Sequence, residues 1–124
     1  MINLKEITNK IITKNNFHCL LIILIIFFLD RYSKIQVIQN FSDSIVYINE
    51  VLNFNLTWNT GIGFGLLSSS SALFYNLISG FIATVIFLLI IISLNSDKLD
   101  KITFSLIIGG ALGNFCDRII FNAV

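Results

Sequence analysis

The sequence predicts an all-α membrane protein: a polytopic helical bundle of three transmembrane helices, with a small extracytoplasmic β-rich segment between the first two. Of its 124 residues, 56% are hydrophobic and 12% are charged, and the mean hydropathy is +0.87. A soluble domain would carry roughly 25% charged residues. Apolar runs of spanning length occur three times, and a β-branched and aromatic stretch separates the first from the second. The chain therefore reads as a single integral membrane domain.

The first predicted transmembrane helix covers residues 17–38 and follows a cytoplasmic tail, residues 1–16, that carries three lysines and one glutamate. Its apolar run from Leu20 to Leu29, with the residues before it, approaches the ~20 residues that a helix needs to cross a bilayer. A basic start and a short apolar core are also typical of a secretory signal peptide. Because no small-residue cleavage site follows the run, we predict an uncleaved helix.

The predicted extracytoplasmic segment comprises residues 39–70. Within it, residues 45–48 and 51–58 are rich in β-branched and aromatic side chains, a pattern typical of short strands. Three glycines at alternate positions from Gly61 to Gly65 indicate a turn or re-entrant segment, because glycine relaxes the limits on the backbone. The four serines that follow offer an N-cap for the next helix.

The second and third predicted helices cover residues 71–94 and 102–118, and a short polar turn at residues 95–101 joins them. Lysines are concentrated in this turn and in the N-terminal tail, which places both on the cytoplasmic side by the positive-inside rule. The β-rich segment and the C-terminal tail, residues 119–124, then lie outside. Glycines four positions apart in the third helix permit close contact with a neighbouring helix.

Composition argues against several other classes of protein. A net charge of +1, without a clustered basic face, disfavours nucleic acid as a partner. His18 is the only histidine and no Cys/His cluster has metal-ligand spacing, so we predict no metal site and no cofactor. Cys19 and Cys116 are interpreted as space-filling side chains of apolar helices, since two such cysteines do not form a disulfide framework.

The predicted orientation gathers the polar residues of interest at the outer membrane face: Asp30, Lys34, Asn59, Asn114, Asp117 and Arg118. Ionisable groups in spanning segments usually face a protein interior or a wet cavity and mark function. Asp30 and Asp117 could form a pair of carboxylates in which one holds a proton while the other activates water. Alternatively, Asp30 pairs with Lys34 one helical turn later, and Asp117 pairs with Arg118 or Arg31, so that the charges anchor helix ends.

The remaining polar residues also have two interpretations each. Asn59 is either a turn residue beside Gly61 or a hydrogen-bonding group for an extended peptide backbone. Asn114 lies within an apolar stretch, where a buried amide needs partners, and forms either an inter-helix bond or a substrate contact. Arg118 either snorkels to the interface or uses its planar donors to bind a carbonyl or phosphate of a lipid-borne substrate.

Three stretches of the sequence resemble the successive motifs of the lipoprotein signal peptidases, the type II signal peptidases of bacteria. They are Asp30-Arg31-Tyr32-Ser33-Lys34, then Asn53 with Trp58-Asn59-Thr60-Gly61-Ile62-Gly63-Phe64-Gly65-Leu66-Leu67, and then Gly109-Gly110-Ala111-Leu112-Gly113-Asn114-Phe115-Cys116-Asp117-Arg118. The resemblance covers nearly the whole chain, with the motifs in the expected order. Gly63 stands where the family more often has alanine or serine.

The resemblance implies an aspartic endopeptidase, a multi-pass hydrolase of the bacterial inner membrane with four transmembrane helices, a cytoplasmic N-terminus and a site facing the periplasm or cell exterior. It would remove signal peptides from diacylglyceryl-modified prolipoproteins by cutting before the lipid-bearing cysteine, with two aspartates sharing a catalytic water. By the same resemblance, the substrate-binding residues would be Asn59, Asn114 and Arg118, and the residues supporting the site would be Asp30, Lys34, Gly61 and Asp117.

The sequence departs from the family's pattern at its end. The family's catalytic aspartates follow the Gly-Asn-x-x-Asp-Arg motif, first in a Val-Asp-Phe-like segment and then in an Asn-x-Ala-Asp-like motif that opens the fourth helix. Val124 falls where the first of these segments would begin. We therefore expect a truncated member of the family with no catalytic residue of its own and no cleavage by this chain alone. The alternatives are a catalytically dead remnant, a membrane interaction subunit and an ion-conducting oligomer.

Overall fold

Three long helices dominate the part of the chain that the structure describes, as the sequence predicts. The computed structural model describes residues 11–42, 45–61 and 72–124. The helices are α1 (Lys14–Phe41), α2 (Ala72–Asn95) and α3 (Lys98–Phe121), and the strands β1 (Val46–Tyr47) and β2 (Asn53–Phe54) lie between α1 and α2 in the sequence. Helix α3 packs extensively against both α1 and α2, so it is the central helix of the bundle.

Helix α1 is longer than the predicted span of residues 17–38. It begins after Thr13, whose hydroxyl oxygen accepts a hydrogen bond from the Asn16 amide at 3.1 Å and acts as the N-cap. Near its end the Asn40 side chain donates to the Gln36 carbonyl at 2.7 Å, so polar residues continue the helix. Its 28 residues extend for about 42 Å, which exceeds the ~30 Å of a hydrocarbon core.

The link between α2 and α3 is shorter than the predicted turn at residues 95–101. Helix α3 begins four residues earlier than expected, because Asp97 is extended and its carbonyl accepts the first bond of the helix, from the Lys101 amide at 2.9 Å. At the other end, Asn122 adopts the left-handed conformation with φ of 55° and donates its amide to the Arg118 carbonyl at 3.2 Å. This is an αL cap, and it ends the helix three residues beyond the predicted residue 118.

Small residues bring α1 and α3 into close contact, which confirms the prediction made from the glycine spacing. A Cβ at Gly109 would lie 2.7 Å from Ile26 Cβ and 3.0 Å from the Ile23 carbonyl oxygen, and one at Gly113 would lie 2.7 Å from Asp30 Cγ. Such distances leave no room for a methyl group. The buried face of α3 continues this contact as a stripe at helical spacing: Ser105, Ile108, Gly109, Gly113, Asp117 and Arg118.

The predicted strands form a two-stranded antiparallel hairpin that is smaller than expected. Val46 pairs with Phe54 and Tyr47 with Asn53, in place of strands over residues 45–48 and 51–58. The Asn49 side chain closes the turn by accepting the Val51 and Leu52 amides at 2.9 and 2.8 Å. The loop beyond Gly61 and the serines proposed as an N-cap lie outside the described residues.

The surface of the helices is apolar, as expected for a membrane protein. Large apolar side chains remain exposed along all three helices, among them Phe28 on α1, Phe81 on α2 and Leu106 on α3. Lipid tails solvate such side chains, whereas water would not. Helices α2 and α3 are each long and apolar enough to cross a membrane by length and composition. The passage of α1 through the membrane, and the orientation of the bundle, remain predictions.

Candidate functional site

One end of the bundle collects the polar residues that the sequence singles out. The second half of α1 supplies Asp30, Arg31 and Lys34, which follow at helical spacing and share one face. The last turns of α3 supply Asn114, Asp117 and Arg118 by the same spacing, and the segment ending at Gly61 lies against them. The structure therefore brings together the described residues of the three motifs.

A network of ion pairs connects α1 to α3. The Lys34 ammonium lies 3.0 Å from Asp30 Oδ2 and 2.6 Å from Asp117 Oδ2, and it donates to Asn114 Oδ1 at 2.7 Å. The Arg31 guanidinium pairs with the other oxygen of Asp117. The contacts of Lys34 with Oδ2 are ionic ones that lack the alignment of a hydrogen bond. Asp117, whose side chain is 4% exposed, thus has a cation at each oxygen.

These contacts match the structural interpretation of the two aspartates. Asp30 pairs with Lys34 one turn later, and Asp117 pairs with Arg31, which was one of the two partners the sequence offered. Within the cluster the charges of two carboxylates and two cations cancel. Proton sharing between carboxylates arises when two negative charges face each other without compensation. The cluster lacks that condition, so its geometry suits a scaffold and not an acid–base pair.

Arg118 is buried, with 4% of its surface exposed, and does not snorkel to an interface. Its Nη2 donates to the Gly61 carbonyl oxygen, and its Cζ lies 5.6 Å from the centre of the Tyr75 ring, within the range of a cation–π contact. The Tyr75 hydroxyl donates to the Arg118 carbonyl at 3.1 Å. Nη1 is buried and has no acceptor among the described residues.

Asn59 organises the segment that precedes Gly61. Its side-chain oxygen accepts the Gly61 amide at 2.9 Å, which is an Asx turn, and its backbone exchanges two hydrogen bonds with Val124, at 2.8 and 2.9 Å. Next to it, the Trp58 ring lies 5.2 Å from the Phe121 ring. The turn interpretation of Asn59 is confirmed, and the segment is joined to the C-terminal end of α3.

A cavity of about 260 Å³ lies beside this segment. Two ionisable residues, Lys34 and Asp117, contribute to its wall, and the rest of the wall is formed by Val37, Ile38, Asn55, Leu56, Thr57, Trp58 and Val124. Asn59, Asn114 and Arg118 are not among its lining residues. Asn114 is exposed next to it, which differs from the buried amide that the apolar surroundings led us to expect. A mostly apolar cavity whose lining includes two ionisable residues suits an apolar chain that carries a polar group.

Sequence reasoning missed two residues of this site. The sequence offers Arg31 only as a pairing partner for Asp117. In the structure its Cζ also lies 5.9 Å from the centre of the Phe121 ring. Tyr75 was not singled out, because an aromatic residue in an apolar helix is usually interpreted as packing. Its position in the first turn of a predicted span was the available signal, since a tyrosine hydroxyl at such depth needs a partner.

Comparison with known proteins identifies the family. The family model for signal peptidase (SPase) II matches residues 22–124. A lipoprotein signal peptidase of Pelagibacter ubique (strain HTCC1062) is 41% identical over 119 residues, which cover 94% of this chain and 72% of that protein. One of Shouchella clausii (strain KSM-K16) is 35% identical over 84% of this chain and 70% of its own length, and one of Clostridioides difficile (strain 630) is 36% identical over 81% and 68%. No solved structure matches the chain. The chain belongs to the signal peptidase II family of lipoprotein signal peptidases.

Proposed function

We propose that the end of the bundle around Asn59, Asn114 and Arg118 binds the signal-peptide region of a diacylglyceryl-modified prolipoprotein, which this family cuts before the lipid-bearing cysteine. The observation that carries the proposal is that residues of three separate motifs meet at one end of the bundle, next to a mostly apolar cavity that Lys34, Trp58 and Asp117 help to line. A lipid-modified peptide has the matching chemistry, because it combines apolar chains with backbone carbonyls.

Arg118 and Asn114 supply the donors in this proposal. Among the residues that the structure describes, Nη1 of Arg118 is a buried charged donor without an acceptor, and such a group is stabilised by an incoming oxygen atom. Asn114 is exposed, and its side-chain oxygen accepts from Lys34. Asn59 contributes by fixing the turn at Gly61, and its neighbour Trp58 forms part of the cavity wall.

Asp30, Lys34 and Asp117 act as support in the same proposal. Lys34 contacts both carboxylates and Asn114, so it sets the distance between α1 and α3 at the level of the site. Gly61 supports the site through its backbone, because its carbonyl is the acceptor that orients Nη2 of Arg118. We assign the two aspartates no part in the acid–base chemistry, since each already faces a cation.

We further propose that all three helices cross the inner membrane, with the N-terminus in the cytoplasm and the site on the outer side. The lysine distribution supports this orientation. Asn49, in the hairpin turn, and Asp97, between α2 and α3, would then lie on opposite sides. In intact cells, with Cys19 and Cys116 replaced by alanine, a membrane-impermeant maleimide should label Asn49→Cys and not Asp97→Cys, and the reverse labelling would refute the orientation.

Binding of a lipidated peptide tests the site directly. The chain in detergent micelles is titrated with a fluorescent synthetic peptide in which a diacylglyceryl-cysteine follows an apolar signal-peptide segment, and anisotropy gives Kd. Arg118→Ala removes a charged donor worth about 1.5–3 kcal/mol and should raise Kd by about 10- to 150-fold. Asn114→Ala removes a neutral one and should raise Kd about fivefold.

Matched variants elsewhere on the helices control for general damage. Lys98→Ala removes a cation at the opposite end of α3, and Asn40→Ala removes an amide that bonds within its own helix. Both should leave Kd unchanged. If the Arg118 and Asn114 variants bind the peptide as tightly as these controls, the site is not where the peptide binds.

A further inference from the structure

We infer that Tyr75 is a positioning residue for substrate binding: it fixes the Arg118 guanidinium so that Nη2 contacts Gly61 while Nη1 remains for the substrate. This inference rests on the proposed function of Arg118. Tyr75 lies in the first turn of α2 and reaches Arg118, 43 residues later, at two places. Its ring contacts the guanidinium and its hydroxyl bonds to the backbone carbonyl of the same residue.

The two contacts restrain different parts of Arg118. The hydroxyl bond attaches α2 to the last turn of α3, where the Arg118 carbonyl also accepts the Asn122 amide. The ring acts on the charged group itself, because a guanidinium within about 6 Å of an aromatic face is attracted to it. The ring therefore fixes the direction of the donors, and the hydroxyl fixes the helix that carries them.

Burial strengthens the restraint that Tyr75 places on Arg118. Tyr75 is 9% exposed and Arg118 is 4% exposed, so the contact is largely removed from water. A cation–π contact is stronger where the cation is desolvated. An arginine has several rotatable bonds, and a substrate that had to order them would lose affinity. Because Tyr75 orders the Arg118 side chain before binding, the substrate binds without that loss of affinity.

A second observation is that the hydrogen bonding of the restrained guanidinium is incomplete among the described residues. Nη2 has the Gly61 carbonyl as its acceptor, whereas Nη1 is buried with none among the residues described. Buried donors almost always have partners, and the exceptions call for an explanation. A substrate oxygen is the partner that the proposed function supplies. With Tyr75 in place, Nη2 of Arg118 bonds to the protein and Nη1 is available to the ligand.

The test separates the ring from the hydroxyl and measures coupling to Arg118. With the same lipidated peptide, Tyr75→Leu and Tyr75→Met, which lack the ring, should each raise Kd by about 5- to 30-fold. Tyr75→Phe keeps the ring and should bind within about threefold of the native chain. Phe81→Leu, an aromatic loss on the exposed face of α2, is the matched control and should leave Kd unchanged.

Double substitution provides the readout that a purely structural role would not move. In an Arg118→Ala background, Tyr75→Leu or Tyr75→Met should raise Kd no further, because the group it positions is gone. Additive losses, or native affinity in the ringless single variants, would overturn the inference while leaving the proposed function of Arg118 intact. Native affinity in Arg118→Ala itself would overturn both.

Discussion

Gly109 offers the sharpest test of how α1 and α3 pack. In Gly109→Ala the new methyl group would lie 2.7 Å from Ile26 Cβ and 3.0 Å from the Ile23 carbonyl oxygen. These atoms belong to the backbone of α1 or lie next to it, so a side-chain rotation cannot relieve the clash and the helices must separate. Overpacking of this kind costs about 1–3 kcal/mol.

Gly110 is the matched control, because a Cβ there would meet nothing within 4 Å. Both substitutions gain the helix propensity of alanine over glycine, about 1 kcal/mol, so the difference between the two variants isolates the clash. Reversible unfolding of each protein in mixed micelles, followed by circular dichroism, should show Gly109→Ala to be less stable than Gly110→Ala by about 1–3 kcal/mol. Equal stability would refute the close contact of the two helices at this position.

Two further substitutions, each with a matched control variant, are tested by the same unfolding measurement. Asp117→Asn leaves Arg31 and Lys34 without the carboxylate they share and should cost about 2–3 kcal/mol, a figure lowered from that of a fully buried pair because both cations are partly exposed. Asp100→Asn, exposed in the first turn of α3, should cost about 0.5 kcal/mol, and equal losses would show that the network contributes nothing. Trp58→Leu removes the ring contact with Phe121 and should cost about 0.5–1.5 kcal/mol beyond the buried area lost. Tyr47→Leu, at a side chain that is 73% exposed, should be nearly neutral, and a similar cost in both variants would contradict the role of the Trp58 contact.

Local spacing made part of the site predictable. The pairing of Asp30 with Lys34 follows from positions one helical turn apart, which place both side chains on the same face. The close approach at Gly109 and Gly113 follows from small residues at the same spacing. In both cases the relevant spacing lies within one helix, so it can be predicted directly from the sequence. The helix ends were less predictable, because polar residues such as Asn15, Asn16 and Asn40 belong to α1 although they lie outside its apolar run.

For contacts between distant segments, the sequence limits the possible partners but does not determine which pair forms. For Asp117 the sequence offered Arg118 or Arg31, and the choice depends on how α1 and α3 are rotated about their axes. The pairing of Asn59 with Val124 is made by backbone atoms, so no pattern of side chains in the sequence predicts it. Asn114 was expected to be buried because its sequence neighbours are apolar. In the fold it is exposed on α3, a position that only the packing of the helices determines.

The arrangement of charges explains how a membrane bundle can maintain this many ionisable groups at one end. Isolated charges in a spanning segment are costly, but Asp30, Arg31, Lys34 and Asp117 compensate each other and leave no net charge. Arg118 stands apart from this balance, because its contacts are a carbonyl oxygen and an aromatic ring, and neither carries a formal charge. At this end of the bundle, and within the described residues, Arg118 is therefore a cation without a compensating carboxylate beside a neutral scaffold. An electron-rich substrate oxygen is the ligand that this imbalance favours, and the neutral network keeps the helices in register while the oxygen binds.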